Sequence, residues 1–246
     1  MIPVTLEYKI GNFIWWKLNR KLPARWSELT PRQMAAIPAL QKEELDDTDI
    51  LEIFLGLKRK IGRRIDSFQR YCILRNLRFI AKPEPLTSFL IGSVAGFNAP
   101  ARNLQGVTFG TFIFGDTYFQ NYINGKEDDL DRFIACYYTD ESGFSDKSIE
   151  VNAAIIRRAD YNTRKAIAIN YTLIREWFAR AYPYVFRKPE EGSRKKMSTK
   201  TWVEIFDLIV GDDVVNEDKY AQKPLSTMLR FMNRKTKEYY KNGGKV

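Results

Sequence analysis

The sequence predicts a mainly α-helical protein, a helical bundle-like body with a small N-terminal β-hairpin. Three observations lead there. Apolar residues recur at i+3/i+4 spacing along much of the chain, capping residues stand ahead of those runs, and two apolar stretches near the N-terminus flank a Gly-Asn pair. The strongest helical signal runs from Asp160 to Phe186. Asp160 is placed to cap it, and Arg175, Arg180 and Arg187 lie toward its end, where cations suit the helix dipole. Ile167, Tyr171, Ile174, Phe178 and Ala181 form one ridge, and Ala166, Ile169, Leu173 and Trp177 a second beside it. So wide an apolar arc belongs to a helix packed on more than one side, and Pro183 ends it.

The other elements follow in chain order. Val4 to Ile10 and Phe13 to Leu18 lie either side of Gly11-Asn12, which favours a turn, so a hairpin is expected within residues 1–20. Its outward Trp15 and Trp16 are placed to dock on the body or on a partner. Thr30, Pro31 and Gln33 make a capping box with proline at the first helical position, and Pro38 is expected to kink or shorten that helix. Acids from Glu43 to Glu52 gather at the next helix start, Asp47 to Asp49, where the dipole accounts for them without a metal. The sign then reverses: Lys58, Arg59, Lys60, Arg63, Arg64, Arg70, Arg75 and Arg78 stand against Asp66, which caps a helix expected to reach Phe79. On its wheel Arg70, Arg75 and Arg78 fall within about 140°.

From Ala81 to Gly110, prolines and glycines punctuate short apolar pieces, which predicts a long loop or short strands, and a surface that orders on assembly. Its glycines match no phosphate-binding loop. Phe109 to Tyr122 reads as an aromatic-rich core helix from Thr111 onward. Glu127, Asp128, Asp129 and Asp131 open the next helix, again as first-turn acids rather than as metal ligands, and a helix near Ser148 to Arg158 leads into the central one. Composition then changes: 187–200 is polar and charged without periodicity, a linker or mobile loop between a main domain (1–186) and a C-terminal helical segment (201–246). That segment carries a helix with Trp202, Phe206 and Ile209 stopped by Gly211, and a last helix from Pro224 ending in a basic tail that is expected to fray or to dock on a neighbour.

Composition bounds the chemistry. The chain has 246 residues, 40 basic against 30 acidic, a net charge of +10 and no histidine. The missing histidine removes the commonest general base, every Ser-His or Cys-His nucleophile and most catalytic zinc sites. The basic balance suits an anionic partner, nucleic acid or an acidic protein surface. Cys72 and Cys136 sit in apolar helical contexts and read as buried, inert thiols. The N-terminus shows no signal peptide, and no apolar run is long enough to span a membrane.

Several pieces carry a resemblance: Leu22-Pro23 with Trp26, Glu28-Leu29-Thr30 and Gln33, then Phe114 to Tyr122, Leu130 to Tyr138, Trp177, Tyr182-Pro183, Val185-Phe186, Trp202, and Pro224-Leu225 with Leu229. In these the chain resembles a family of proteins encoded in or near the tail genes of phages and prophages of Bacteroidetes. The resemblance implies a non-enzymatic role in virion or tail assembly, as a structural component or a chaperone for another tail component. It also implies residence in the host cytoplasm during assembly, with retention in the virion left open. It brings no catalytic, cofactor-binding or metal-binding residue, and the Lys58 to Arg78 run is not part of it.

The residues expected to meet a partner are Trp15, Trp16, Arg63, Arg64, Arg70, Arg75 and Arg78, with Arg234, Lys235 and Lys237 of the tail. Other phage structural or tail proteins are the expected partners, with a homo-oligomer left open and no membrane. The alternative is a basic nucleic-acid-binding protein using the same face. A histidine-free hydrolase built on Asp128, Asp129 and Asp131 is a third reading.

Overall fold

In the computed structural model, which describes residues 1–10, 14–186, 202–211 and 214–241, two nine-residue strands open the chain. β1 (Ile2–Ile10) and β2 (Ile14–Leu22) pair antiparallel in unbroken register from Ile2↔Leu22 to Ile10↔Ile14. Residues directly opposite share a face, which puts Leu6, Tyr8, Leu18 and Leu22 on the same side as Trp16. Leu6 and Leu22 are buried, yet Trp16 is 52% exposed, so burial fades toward the far end of the hairpin. The expected Gly11-Asn12 turn and the side chain of Trp15 lie outside the described residues.

Side-chain capping then sets the helices. In α1 (Pro31–Gln41) the Thr30 hydroxyl accepts from Gln33 N–H, and Gln33 Oε1 accepts from Thr30 N–H at 2.9 Å; the helix runs through Pro38 instead of stopping there. Asp46 caps α2 (Asp47–Leu55), and Gly56 ends it at a φ of 67° that only glycine adopts cheaply. After α3 (Arg59–Gly62), Asp66 accepts from Phe68 and Gln69 N–H to start α4 (Ser67–Asn76). That helix was expected to reach Phe79; it tightens instead into a 3-10 turn at Leu77–Ala81, which takes Arg78 off the α-helical wheel. Gln69 fastens α4 to the hairpin. Its side-chain amide donates to Glu7 C=O and accepts from Glu7 N–H, each at 3.1 Å, occupying the β1 edge as a neighbouring strand would.

The Gly/Pro-rich middle does contain short strands, β3 (Ser93–Val94) and β4 (Phe97–Asn98), but it is not a surface awaiting assembly. Leu86, Phe89, Ile91, Val94, Phe97, Leu104 and Val107 are all buried. A segment with so little ladder of its own takes its hydrogen bonds from the helices beneath. Asn170 accepts from Leu90 N–H (2.6 Å) and donates to Ser88 C=O (3.1 Å), and Tyr138 Oη donates to Ile91 C=O (2.6 Å).

The helical body comprises α5 (Phe109–Ile123), α6 (Asp129–Tyr137), α7 (Ile149–Ile156) and α8 (Tyr161–Ala181). α8 packs on α1 and α6, and α6 packs on α5 and α7. The central role expected for α8 holds: Ile167, Tyr171, Ile174, Phe178, Ala166 and Leu173 are buried. α5 and α6 come close at Gly115, where a Cβ would stand 2.5 Å from the Tyr137 ring. α9 (Trp202–Val210) lies on α5 through Trp202 and Phe206, and is followed by α10 (Glu217–Ala221) and α11 (Leu225–Lys241). Main-chain bonds from Phe109 N–H to Lys223 C=O and from Leu225 N–H to Val107 C=O stitch this segment to the start of α5. The segment expected as linker, 187–200, lies outside the described residues. The basic tail, expected to fray, is helical to Lys241 because it continues α11.

Candidate interaction surface

On α4, Phe68, Tyr71, Cys72 and Arg75 stand at i, i+3, i+4 and i+7, which places them on one face. All four are exposed, Phe68 by 73% and Tyr71 by 53%. The opposite face buries Ile73, with Leu77 and Ile80 continuing that line in the 3-10 turn. One side of α4 therefore holds the helix to the body, and the other presents two aromatic rings to solvent. Cys72 belongs to that open face, contrary to the buried thiol expected; Cys136 is buried as expected, and burial pushes its thiol pKa up.

Exposed arginines flank the rings along the chain. Arg63 and Arg64 follow α3, Arg75 is in the last turn of α4 on the ring-bearing face, and Arg78 lies on the following 3-10 turn; all are exposed. None of the four guanidinium groups makes an ion pair or hydrogen bond within the described residues. Arg59, by contrast, is held by Asp49 and Glu52. Asp66 does not neutralise them, because its carboxylate is turned to Gln69 and Phe68 N–H, which hold its pKa below the usual carboxylate range. Arg70 departs from the expected basic face: it is half-buried, with Nε donating to Ile65 C=O at 2.9 Å. Through the Gln69–Glu7 contact α4 sits beside β1, whose next residue, Tyr8, pairs with Trp16.

The second expected group, Arg234, Lys235 and Lys237, is exposed on α11, with Lys237 Nζ 5.9 Å from the Tyr184 ring centre. α11 packs on α5 and α4 lies against β1, so separate elements carry the two basic groups.

The acids at the start of α6 face arginines. Asp131 is 2% exposed and binds Arg157 Nε (2.9 Å) and Arg164 Nη1 (2.6 Å). Asp129 binds Arg132 (2.7 Å), which grips Glu150 with two nitrogens, and Asp128 reaches Arg157 at 3.3 Å. These carboxylates join α6 to α7 and α8. Among the described residues no group of three or more His, Cys, Asp or Glu side chains could hold a metal ion. No described helix is long and apolar enough to cross a membrane.

A second polar cluster, which sequence reasoning missed, lies inside the body. Asp116, fully buried in α5, accepts from Tyr171 Oη (3.0 Å) and Trp202 Nε1 (2.6 Å), while Arg175 Nε stands 3.3 Å away as an ion pair. The Gln120 amide lies against Arg175 and accepts from Nη2 at 3.0 Å when its oxygen is assigned to that side, and Tyr171 shares a 2.8 Å hydrogen bond with Tyr137. Desolvation, with the Asp116 charge adding to it, pushes both phenol pKa values well up, so neither serves as an acid or base near neutrality. The signal in the sequence was a lone carboxylate in an otherwise aromatic run, FGTFIFGDTYFQNY. A small open groove of about 250 Å³ between α1, α5 and α8 has Phe119, Tyr122 and Ala168 in its lining and Lys42 and Lys165 beside them. Both amines have partners, Glu44 at 3.4 Å for Lys42 and the Tyr161 ring at 4.4 Å for Lys165.

Comparison with protein families, with curated proteins and with solved structures finds no match for this chain.

Proposed function

We propose that the protein acts by binding another protein, as a structural component or assembly chaperone of a phage tail or virion. One observation carries the reading: two exposed aromatic rings, Phe68 and Tyr71, share a face of α4 with Arg75, and Arg63, Arg64 and Arg78, just before and after that helix, are exposed as well, all four side chains without partners among the described residues. Exposed aromatic residues beside arginine are the composition of interface hot spots. A soluble chain that leaves a phenylalanine 73% open gains nothing from it in its own core. The partner surface is acidic, since Asp66 is engaged in capping and the arginines lack a counter-charge of their own. Binding takes place in the host cytoplasm during assembly. Catalysis has little support, because the carboxylates a histidine-free hydrolase would use, Asp128, Asp129 and Asp131, are engaged by Arg132, Arg157 and Arg164.

The second reading, single-stranded nucleic acid, draws on the same rings and arginines, which would stack bases and meet phosphates. A photo-crosslinking residue in place of Phe68, in protein co-expressed with the products of the genes beside its own, separates the two. Crosslinks to a protein support the first reading, and crosslinks to nucleic acid alone would replace it with the second.

A further inference from the structure

We propose that the free edge of β2 receives an added strand from the partner, one that alternates acidic with apolar residues. This rests on the protein-binding reading above and specifies how the partner is held. Glu7 is the starting point. Its N–H and C=O both engage Gln69, so they point away from β2. In an antiparallel pair, the residue opposite such a position also turns its main-chain groups outward, and the pattern repeats every second residue. Glu7 pairs with Lys17, Thr5 with Asn19 and Pro3 with Lys21. Lys17, Asn19 and Lys21 therefore direct N–H and C=O groups out along the far side of β2. Among the described residues no further strand pairs with that side, and the helix that packs on β2 is α2.

The two edges are treated differently. β1 is closed by Pro3, which has no N–H, and by the Gln69 amide. Among the described residues, the outward main-chain groups of Lys17, Asn19 and Lys21 have one hydrogen-bond partner, the guanidinium of the adjacent Arg20 on the Asn19 carbonyl at 3.0 Å. A two-stranded hairpin is marginal alone, and an unpaired strand edge is a ready template for strand addition.

Chemistry then selects the occupant. The hairpin carries Lys9, Lys17, Arg20 and Lys21 against a single acid, Glu7. On the face bearing Lys17, Asn19 and Lys21, a neighbouring strand meets amines; the Lys17–Glu7 pair (2.9 Å) is exposed and weak enough to share. On the other face it meets Trp16 and Leu18, with Arg20 next along the strand, and so covers the tryptophan that the body leaves half open. Acids on the lysine face and apolar residues opposite Trp16 and Leu18 satisfy both. A second copy of this chain is disfavoured, because β2 against β2 would set lysines beside lysines.

The probe is a synthetic peptide as long as β2 that alternates glutamate with valine, and the readout is amide hydrogen exchange by NMR on the whole protein. The peptide should slow exchange at Lys17, Asn19 and Lys21. Lys17→Pro removes an outward N–H together with the Lys17 amine and should weaken binding about tenfold or more, one main-chain hydrogen bond being worth about that factor. The double variant Lys17→Glu/Lys21→Glu, which leaves the backbone unaltered, should lose the glutamate peptide and gain one alternating lysine with valine. Unchanged edge amides, or binding indifferent to both variants, would overturn the proposal. So would edge protection that grows with protein concentration without peptide, since the occupant is then a second copy. If a Phe68 crosslinker captures a protein while the edge amides stay unprotected, strand addition falls and the protein-binding reading stands. Edge protection by the peptide with Phe68 crosslinking only to nucleic acid gives the reverse.

Discussion

Trp202 Nε1 donates to Asp116 Oδ2 at 2.6 Å across 86 residues of sequence, and this bond ties α9 to the interior of the body. The carboxylate it reaches is wholly buried and is also bound by Tyr171 and Arg175. A buried pair of this kind is a poor source of net stability but costly to break from one side. Asp116→Asn should destabilise the protein by about 3–5 kcal/mol, because it leaves the Arg175 guanidinium without its counter-charge. Trp202→Phe keeps an aromatic ring against Phe109 and Phe112 but loses the donor and part of the indole's volume, so about 1–3 kcal/mol is expected. Urea unfolding of both variants checks the order; an equal loss would mean that packing, not the hydrogen bond, holds α9.

Gly115 has no room for a side chain. A Cβ would meet the Tyr137 ring at 2.5 Å, and that ring is fixed from behind by the Tyr137–Tyr171 hydrogen bond. Gly115→Ala should cost about 1–3 kcal/mol by overpacking, in spite of alanine's better helix propensity. A melting temperature at or above wild type would contradict this contact.

The two cysteines should separate cleanly. Cys72 is exposed on α4 and should react with a maleimide in the native protein, whereas Cys136 is buried with its pKa pushed up and should react only on unfolding. Mass spectrometry after a short native labelling should find one label, on Cys72.

Acid should loosen the α4–hairpin contact through Asp66. Hydrogen bonds from Gln69 and Phe68 N–H lower its pKa in the folded protein, so the charged form is favoured by folding. Its contribution is complete above the unfolded carboxylate's value of about 3.9 and is lost as pH falls through the lower folded value. The stability gap between wild type and Asp66→Ala should therefore be constant near neutrality and shrink below about pH 4. A gap that stays constant through that range would show that the charge of Asp66 is not involved.

What the sequence made legible was what depends on neighbours along the chain. The Thr30–Gln33 capping box, the Asp66 and Asp160 caps and the two ridges of α8 follow from spacing within a few residues, and the structure has them, with Ile169 and Trp177 half-buried and Ala181, at the end of the first ridge, exposed. What depends on distant partners was not. Spacing alone could not tell that the Gly/Pro-rich middle lies on α8, because Asn170 and Tyr138, which satisfy its backbone, are far away in sequence. The open face of α4 differs from the expected one for a related reason: the basic run gives no sign that Arg70 is bonded back to Ile65, nor that the body covers only the side opposite Phe68 and Tyr71. Among the acids of α6, the first-turn position was visible, but not the arginines from α7 and α8 that bind them.

The central claim is that the α4 face with its adjoining hairpin binds protein. The most direct measurement is size-exclusion chromatography with light scattering, at low and high salt. It compares wild type with Phe68→Ala/Tyr71→Ala, each co-expressed with the products of neighbouring genes and each mixed separately with duplex or single-stranded DNA. The account predicts a defined complex with a protein partner that persists at high salt, is lost in the double variant and is indifferent to DNA. A wild-type protein that forms no such complex, and shifts with DNA at low salt alone, would contradict it, since only phosphate binding weakens so steeply with salt.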